Sequence, residues 1–255
     1  MQISLPVDRT LGVLYLDEPA LTNPTMIAAW PGMGFIAKIS ADYLRRRLQA
    51  KQFAEIDYYY NMLIYNDGVG ELAPIRHKFY AVPEKNLIIV VGEAQPSTPE
   101  ESIRLAEEVV SVAKKYGVKR IFTMAAYPSE QNGEPQVYGV FSDPNQRKEL
   151  EDVGVKVLKA EGVVNGLNGI IIGIAKNNGI NGVCLMGDIR YANVPQHLAS
   201  KAVLTKLSAL LNLDIDTSLL EKRARRIDAS IRKRLELDED TEAITSGEKK
   251  LDYIS

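Results

Sequence analysis

Trp30-Pro31-Gly32-Met33-Gly34 stands between an apolar run and a helical pattern, and the reading of these five residues decides the fold. Before them, Met26-Ile27-Ala28-Ala29 continues into Trp30 as a buried strand. After them, Phe35 to Leu48 carries apolar residues at helical spacing, among them Ile36, Ile39, Ala41, Tyr43, Leu44 and Leu48. Glycines at a strand-to-helix turn permit positive φ and close packing. The same geometry can point backbone N–H groups at an anion. A phosphate loop, however, ends in Gly-Lys-Ser/Thr, and a dinucleotide loop needs a third glycine and an acidic residue about 20 residues on. Lys38 stands too far along and is followed by Ile39. The stretch therefore reads as a tight turn of an α/β sheet rather than a nucleotide loop.

Working outward, Leu87 to Val91 is a continuous apolar run, the pattern of a strand buried on both faces. Ser97-Thr98-Pro99-Glu100-Glu101 is a helix start, with a capping hydroxyl, a first-turn proline and acidic residues at the positive end of the dipole. That helix is expected to reach Tyr116. Strands are expected at Asp57–Tyr65, Lys78–Val82, Lys119–Ala126, Val155–Leu158 and Gly182–Met186. Ile3 to Tyr15 alternates as an edge strand. Gly166-Leu167-Asn168-Gly169 reads as a glycine-rich turn into a buried helix, Asp143-Pro144-Asn145 starts a short helix, and Val194-Pro195-Gln196 opens another. Strand and helix alternate repeatedly, which predicts an α/β fold with a mostly parallel central sheet and helices on both faces. The expected organisation is an α/β domain over 1–215, a C-terminal amphipathic helix over 216–237 and a flexible tail over 238–255.

The composition bounds the function. A chain of 255 residues with 45% hydrophobic and 25% charged residues can bury a core without disulfides or metal. A net charge of -2 gives no general attraction to nucleic acid or to anionic lipid, and no apolar stretch approaches a membrane span. The single cysteine, Cys184, sits in an apolar run and fits a reducing interior. With no leader pattern at the N-terminus, a cytoplasmic protein is expected.

Catalytic chemistry is poorly represented. There are two histidines, His77 and His197, and no closely spaced His/Cys ligands for a metal. His77, in Arg76-His77-Lys78, reads as part of a solvated loop or strand start. No Gly-x-Ser-x-Gly elbow is present. The reading therefore assigns no catalytic residue, no metal and no cofactor, and leans away from an enzyme. If a small-ligand pocket exists, the carboxyl ends of the strands are its place. Its candidate residues are Gly32, Met33 and Gly34 of the turn, with Glu93, Asp188 and Arg190. Asp188 pairing with Arg190 or capping a loop is the simpler alternative. At the C-terminus, Leu220, Ala224, Ile227, Ile231 and Leu235 step by three or four, a narrow stripe suited to helix–helix contact. Leu251, Tyr253 and Ile254 give the tail an apolar tip of the kind that anchors in a partner's pocket. The partner-binding candidates are thus Ile227, Ile231, Leu235, Leu251, Tyr253 and Ile254.

Taken together, Trp30-Pro31-Gly32-Met33-Gly34, Ala41-Asp42-Tyr43-Leu44, Gly92-Glu93-Ala94-Gln95-Pro96, Gly166-Leu167-Asn168-Gly169 and Gly187-Asp188-Ile189-Arg190-Tyr191-Ala192-Asn193-Val194-Pro195 resemble, in order and spacing, the PAC2 family of proteasome assembly chaperone 2-like proteins, archaeal type. The resemblance runs from Met26 to Leu237. It implies a fold like that of purine nucleoside phosphorylase and a homo-oligomer, a pentamer or trimer foremost. It also implies a chaperone-like role, with proteasome subunits or a paralogous subunit as partners. Proteasome-binding tails place a tyrosine second from the end; here Tyr253 is third, a departure of one residue. A nucleoside- or phosphate-like ligand at the Gly32–Gly34 turn is the alternative function.

Overall fold

The apolar run at 87–91 forms a strand in which every residue is buried, and the rest of the molecule is arranged around it. The computed structural model describes residues 12–59, 63–72, 74–129, 133–159 and 161–227. In chain order the first half holds β1 (Val13–Tyr15), β2 (Thr25–Ala29), α1 (Ile36–Arg47), β3 (Lys51–Tyr59), β4 (Ile64–Asn66), β5 (Val69–Glu71), β6 (Pro74–Val82) and β7 (Leu87–Gly92). Then follow α2 (Pro99–Lys115), β8 (Arg120–Pro128), β9 (Val137–Phe141), α3 (Arg147–Asp152), β10 (Lys156–Val157), α4 (Leu167–Asn177), β11 (Asn181–Ile189) and α5 (His197–Leu210). Residues 218–227 form a last helix, α6.

Nine of the described strands make one sheet in the order β1-β3-β6-β7-β2-β8-β11-β9-β10, and β4 and β5 pair separately. The sheet is mixed, not mostly parallel. The pairs β2–β7, β2–β8, β8–β11 and β9–β10 are parallel. The pairs β1–β3, β3–β6, β6–β7 and β9–β11 are antiparallel. The short turn at Pro83–Lys85 joins β6 to β7, and so short a connection permits only antiparallel neighbours.

Helices do cover both faces. Alternate residues of β2 and the Trp30 that follows it divide between them: Met26, Ala28 and Trp30 join the cluster with α2 and α4, whereas Ile27 and Ala29 join the cluster with α1 and α5. The α2 start is as its sequence predicts, with the Thr98 hydroxyl accepting from the Glu101 N–H at 3.2 Å and Pro99 in the first turn. No described helix is long and apolar enough to cross a membrane.

α6 begins inside this architecture. The Asp216 carboxylate accepts from the Ser218 N–H at 2.9 Å, the Tyr43 hydroxyl donates to the Asp216 carbonyl at 2.6 Å, and Arg47 pairs with the Asp216 carboxylate at 2.5 Å. Leu220 is fully buried in the α1/α5 cluster and Ala224 is nearly so. The first two positions of the apolar stripe are therefore used within the chain.

Candidate functional site

Three glycine-bearing segments meet where the parallel strands end. The turn after β2 bends at Gly34 (φ 63°) and Phe35 (φ 54°), a left-handed pair that reverses the chain into α1. The Gly34 N–H donates to the Ala192 carbonyl at 2.6 Å, and the Gly34 carbonyl accepts from the Gln196 N–H at 2.9 Å. This N–H is thereby committed to the loop before α5, not turned toward an anion.

Two amide side chains hold the other segments together. Asn168, in the first turn of α4, accepts from the Trp30 N–H at 2.9 Å and donates to the Trp30 carbonyl at 3.0 Å. Its own carbonyl accepts from the Thr123 hydroxyl at 2.7 Å. Gln95 donates to the Pro31 carbonyl at 2.5 Å and accepts from the Leu167 N–H at 2.7 Å. The ends of β2 and β7 and the start of α4 are thus pinned to one another. Gly166 has φ 76°, and a Cβ there would stand 2.6 Å from the Gln95 amide oxygen, so the clamp requires glycine at that position.

Around the clamp lies a cleft of about 700 Å³. Gly32, Met33 and Gln95 form one side, Ala125 to Pro128 and Met186 the floor, and Glu161 to Gly166 with Asn168 the far wall. Its size is that of a small-molecule site. The lining is apolar and amide-rich, with Glu161 and Tyr127 as its titratable side chains. The Tyr127 ring packs on Tyr138 at 4.3 Å between centroids.

The structure does not gather the six pocket candidates. Gly32 and Met33 line the cleft; Gly34, Glu93, Asp188 and Arg190 do not. Glu93 accepts from the Arg76 N–H at 3.0 Å and lies 3.4 Å from the Lys78 ammonium. Partial burial pushes its carboxyl up, but the Arg76 amide and Lys78 outweigh that and hold it below the usual range. Asp188 is buried, and its carboxylate accepts from the Gln136 N–H at 2.8 Å, tying β11 to the approach of β9. Arg190 is exposed. Of the partner-binding candidates, Ile227 is half-buried at the last described position of α6; Ile231, Leu235, Leu251, Tyr253 and Ile254 lie outside the described residues.

Sequence reasoning missed a second buried constellation behind the cleft. His77 is not solvated: it is fully buried in β6 on the face of Phe79 and Ala81. The Trp30 indole N–H donates to His77 Nδ1 at 3.1 Å, and His77 Nε2 is buried with no hydrogen-bond partner. Burial pushes the imidazole down to about 4, against a small opposing pull from Glu93. A Cβ at Gly92 would fall 2.1 Å from Trp30 Cδ1 and 2.7 Å from His77 Nδ1. Gly92 is therefore the space in which the indole and imidazole meet. The missed signals were Gln95 and Asn168, amides beside the glycines of two quoted motifs, and the strand alternation that puts His77 on the face opposite Arg76 and Lys78.

Comparison with known proteins gives a consistent result. Residues 26–235 match the model of the PAC2 family. An uncharacterised protein of Methanocaldococcus jannaschii is 30% identical over 251 residues, covering 93% of this chain and 95% of that one. Among solved structures, Pyrococcus furiosus PbaB, an archaeal proteasome activator, superposes with a TM-score of 0.78 at 27% identity, over 88% of this chain and 98% of its own. P. furiosus PbaA, an archaeal homologue of proteasome-assembly chaperone, has a TM-score of 0.75 at 24% identity, over 95% and 99%.

Proposed function

We propose that this chain, which belongs to the PAC2 family, is a non-enzymatic, chaperone-like binding protein of the proteasome system. It acts as a homo-oligomer and engages proteasome subunits, or a paralogous subunit, through its C-terminal helix and tail. The observation that carries this reading is the likeness to PbaB along almost the whole of both chains at 27% identity. The local geometry is compatible with it. The start of α6 is held to the domain at Asp216, Leu220 and Ala224, a fixed base for a contact made by the C-terminal segment. A clamp built from Gln95 and Asn168 serves rigidity of the scaffold rather than bond chemistry.

The test is capture of purified proteasome subunits by the full-length protein and by a version lacking residues 238–255. Retention by the full-length protein, and its loss on truncation, is the expected result. Equal capture by both versions would remove the role given to the tail, and capture by neither would remove the function.

A second reading rests on the 700 Å³ cleft at the carboxyl ends of β2, β7 and β8, the position where open α/β sheets bind ligands. There the chain would bind a nucleoside- or phosphate-like molecule beside Gly32 and Met33. A ligand at 100 times its dissociation constant stabilises by about 2.7 kcal/mol. A panel of nucleosides, nucleotides and inorganic phosphate that leaves the melting temperature unmoved would rule this reading out.

A further inference from the structure

We propose that the groove between α1 and α6 is a docking site for an acidic segment of a partner protein, one that sets an apolar side chain between two carboxylates. The proposal rests on the reading of this chain as a partner-binding protein and gives that partner a chemistry. The groove encloses about 440 Å³ and shares no residue with the cleft at the strand ends. Its two walls run in opposite directions. Asp216, just before α6, bonds to Tyr43 and Arg47 near the end of α1. Farther along α6 lies Arg223. Burial first, and then the nearby Arg223 charge, push the His197 imidazole below its usual range. The neighbouring Gln196 is bonded to Gly34 at the approach to α1.

Charge chooses the occupant. Four cations line the groove, Lys38, Arg46 and Arg47 from α1 and Arg223 from α6, against the single carboxylate of Asp42. Asp42 is shared, since Lys38 and Arg45 both bind it, at 2.5 and 2.7 Å. Arg47 is paired with Asp216 at 2.5 Å. Among the described residues, Arg46 and Arg223 are exposed and have no carboxylate partner. The dipole of α1 favours cations in its last turn, which accounts for Arg45 to Arg47. It does not account for Lys38, which stands at the positive end of the same helix. Nor does it account for Arg223, which is placed there by the burial of Leu220 and Ala224 beside it. On a chain of net charge -2, such a local surplus is complementary to an acidic surface.

Spacing selects a chain over a single small anion. Lys38 and Arg46 are eight residues apart on α1, about 12 Å along its axis. One carboxylate or phosphate does not bridge that distance, whereas an extended segment covers it in about four residues. Between the two cations α1 contributes Ile39 and Tyr43, and Leu219 of α6, 43% exposed, lines the other wall. Phe35 adds an aromatic ring, 40% exposed, from a left-handed backbone (φ 54°) that a bulky side chain seldom adopts. An apolar side chain flanked by carboxylates meets each of these surfaces.

Calorimetry of the full-length protein with the capped peptide acetyl-Ser-Glu-Ser-Leu-Ser-Glu-Ser-amide tests this. The native protein is expected to bind it, and an Arg46→Glu, Arg223→Glu double variant to bind it about tenfold more weakly or worse. The same peptide with lysine for both glutamates is expected to reverse that order. No heat from the native protein up to about 1 mM peptide, or equal affinity for native and variant, overturns the proposal. Should the variant misfold, the two peptides are compared on the native protein, and equal affinity for both is the contradicting result. Binding that appears only after residues 238–255 are removed assigns the groove to the chain's own acidic run, Asp238-Glu239-Asp240, and removes the partner. Displacement by inorganic phosphate at the peptide's own concentration makes it a small-anion site and does the same. Capture of proteasome subunits without peptide binding removes this proposal alone; peptide binding without capture removes the proteasome reading and leaves the groove.

Discussion

His77 is a histidine held neutral among apolar neighbours, and its effect on stability follows from that. Its folded value, about 4, lies below the value of about 6.5 expected in the unfolded chain. Between those two values the unfolded state binds a proton that the folded state refuses. Stability contributed by the neutral imidazole is therefore complete above pH 6.5 and declines as the pH falls toward 4. A shift of this size corresponds to about 3 kcal/mol over the window. Denaturant titrations at pH 7 and pH 4.5 are expected to give a larger loss for the native protein than for His77→Gln, in which the amide oxygen can still accept from Trp30. Equal losses would mean that His77 does not carry the acid sensitivity. The partner residues were open to inspection in the sequence: His77 shares strand parity with Phe79 and Ala81, while Arg76 and Lys78, which suggest solvent, belong to the other face. Flanking charge misleads in a strand because adjacent residues point in opposite directions.

At the scale of elements, the joint between β2, β7 and α4 rests on two side chains. Asn168→Ala leaves the Trp30 N–H and C=O buried without partners, at a cost of about 3 kcal/mol. A chemical-denaturation midpoint lowered accordingly is the expected result; a change below about 1 kcal/mol would show that water or a neighbour replaces the amide. The sequence placed the α4 and α2 starts and β7 because caps, glycines and apolar runs are local signals. Strand direction was not local in the same way. The run at 87–91 is equally apolar whether its neighbours are parallel or antiparallel, and β7 has one of each. β9 was missed altogether: it is short, holds Gly139, and acquires its identity from pairing with β11 some 40 residues on. The pocket was legible as a position but not as a residue set. Glu93 and Asp188 stand at strand ends as expected, but each carboxylate turns to a backbone N–H of a neighbouring segment, and Gln95, two residues beyond Glu93, is the side chain that reaches the cleft.

At the scale of the whole molecule, the α/β body holds the start of the last helix through Asp216, Leu220 and Ala224. The apolar stripe read from the sequence of this helix is flanked by Lys222, Arg223, Arg225 and Arg226, and the proposed function assigns it the contact with a partner. The most direct measurement is sedimentation velocity of the purified full-length protein mixed with purified proteasome of a closely related source. The account predicts a faster boundary containing both components, which disappears when residues 238–255 are removed. Two boundaries at the positions of the separate components, across the concentration range tested, would contradict it.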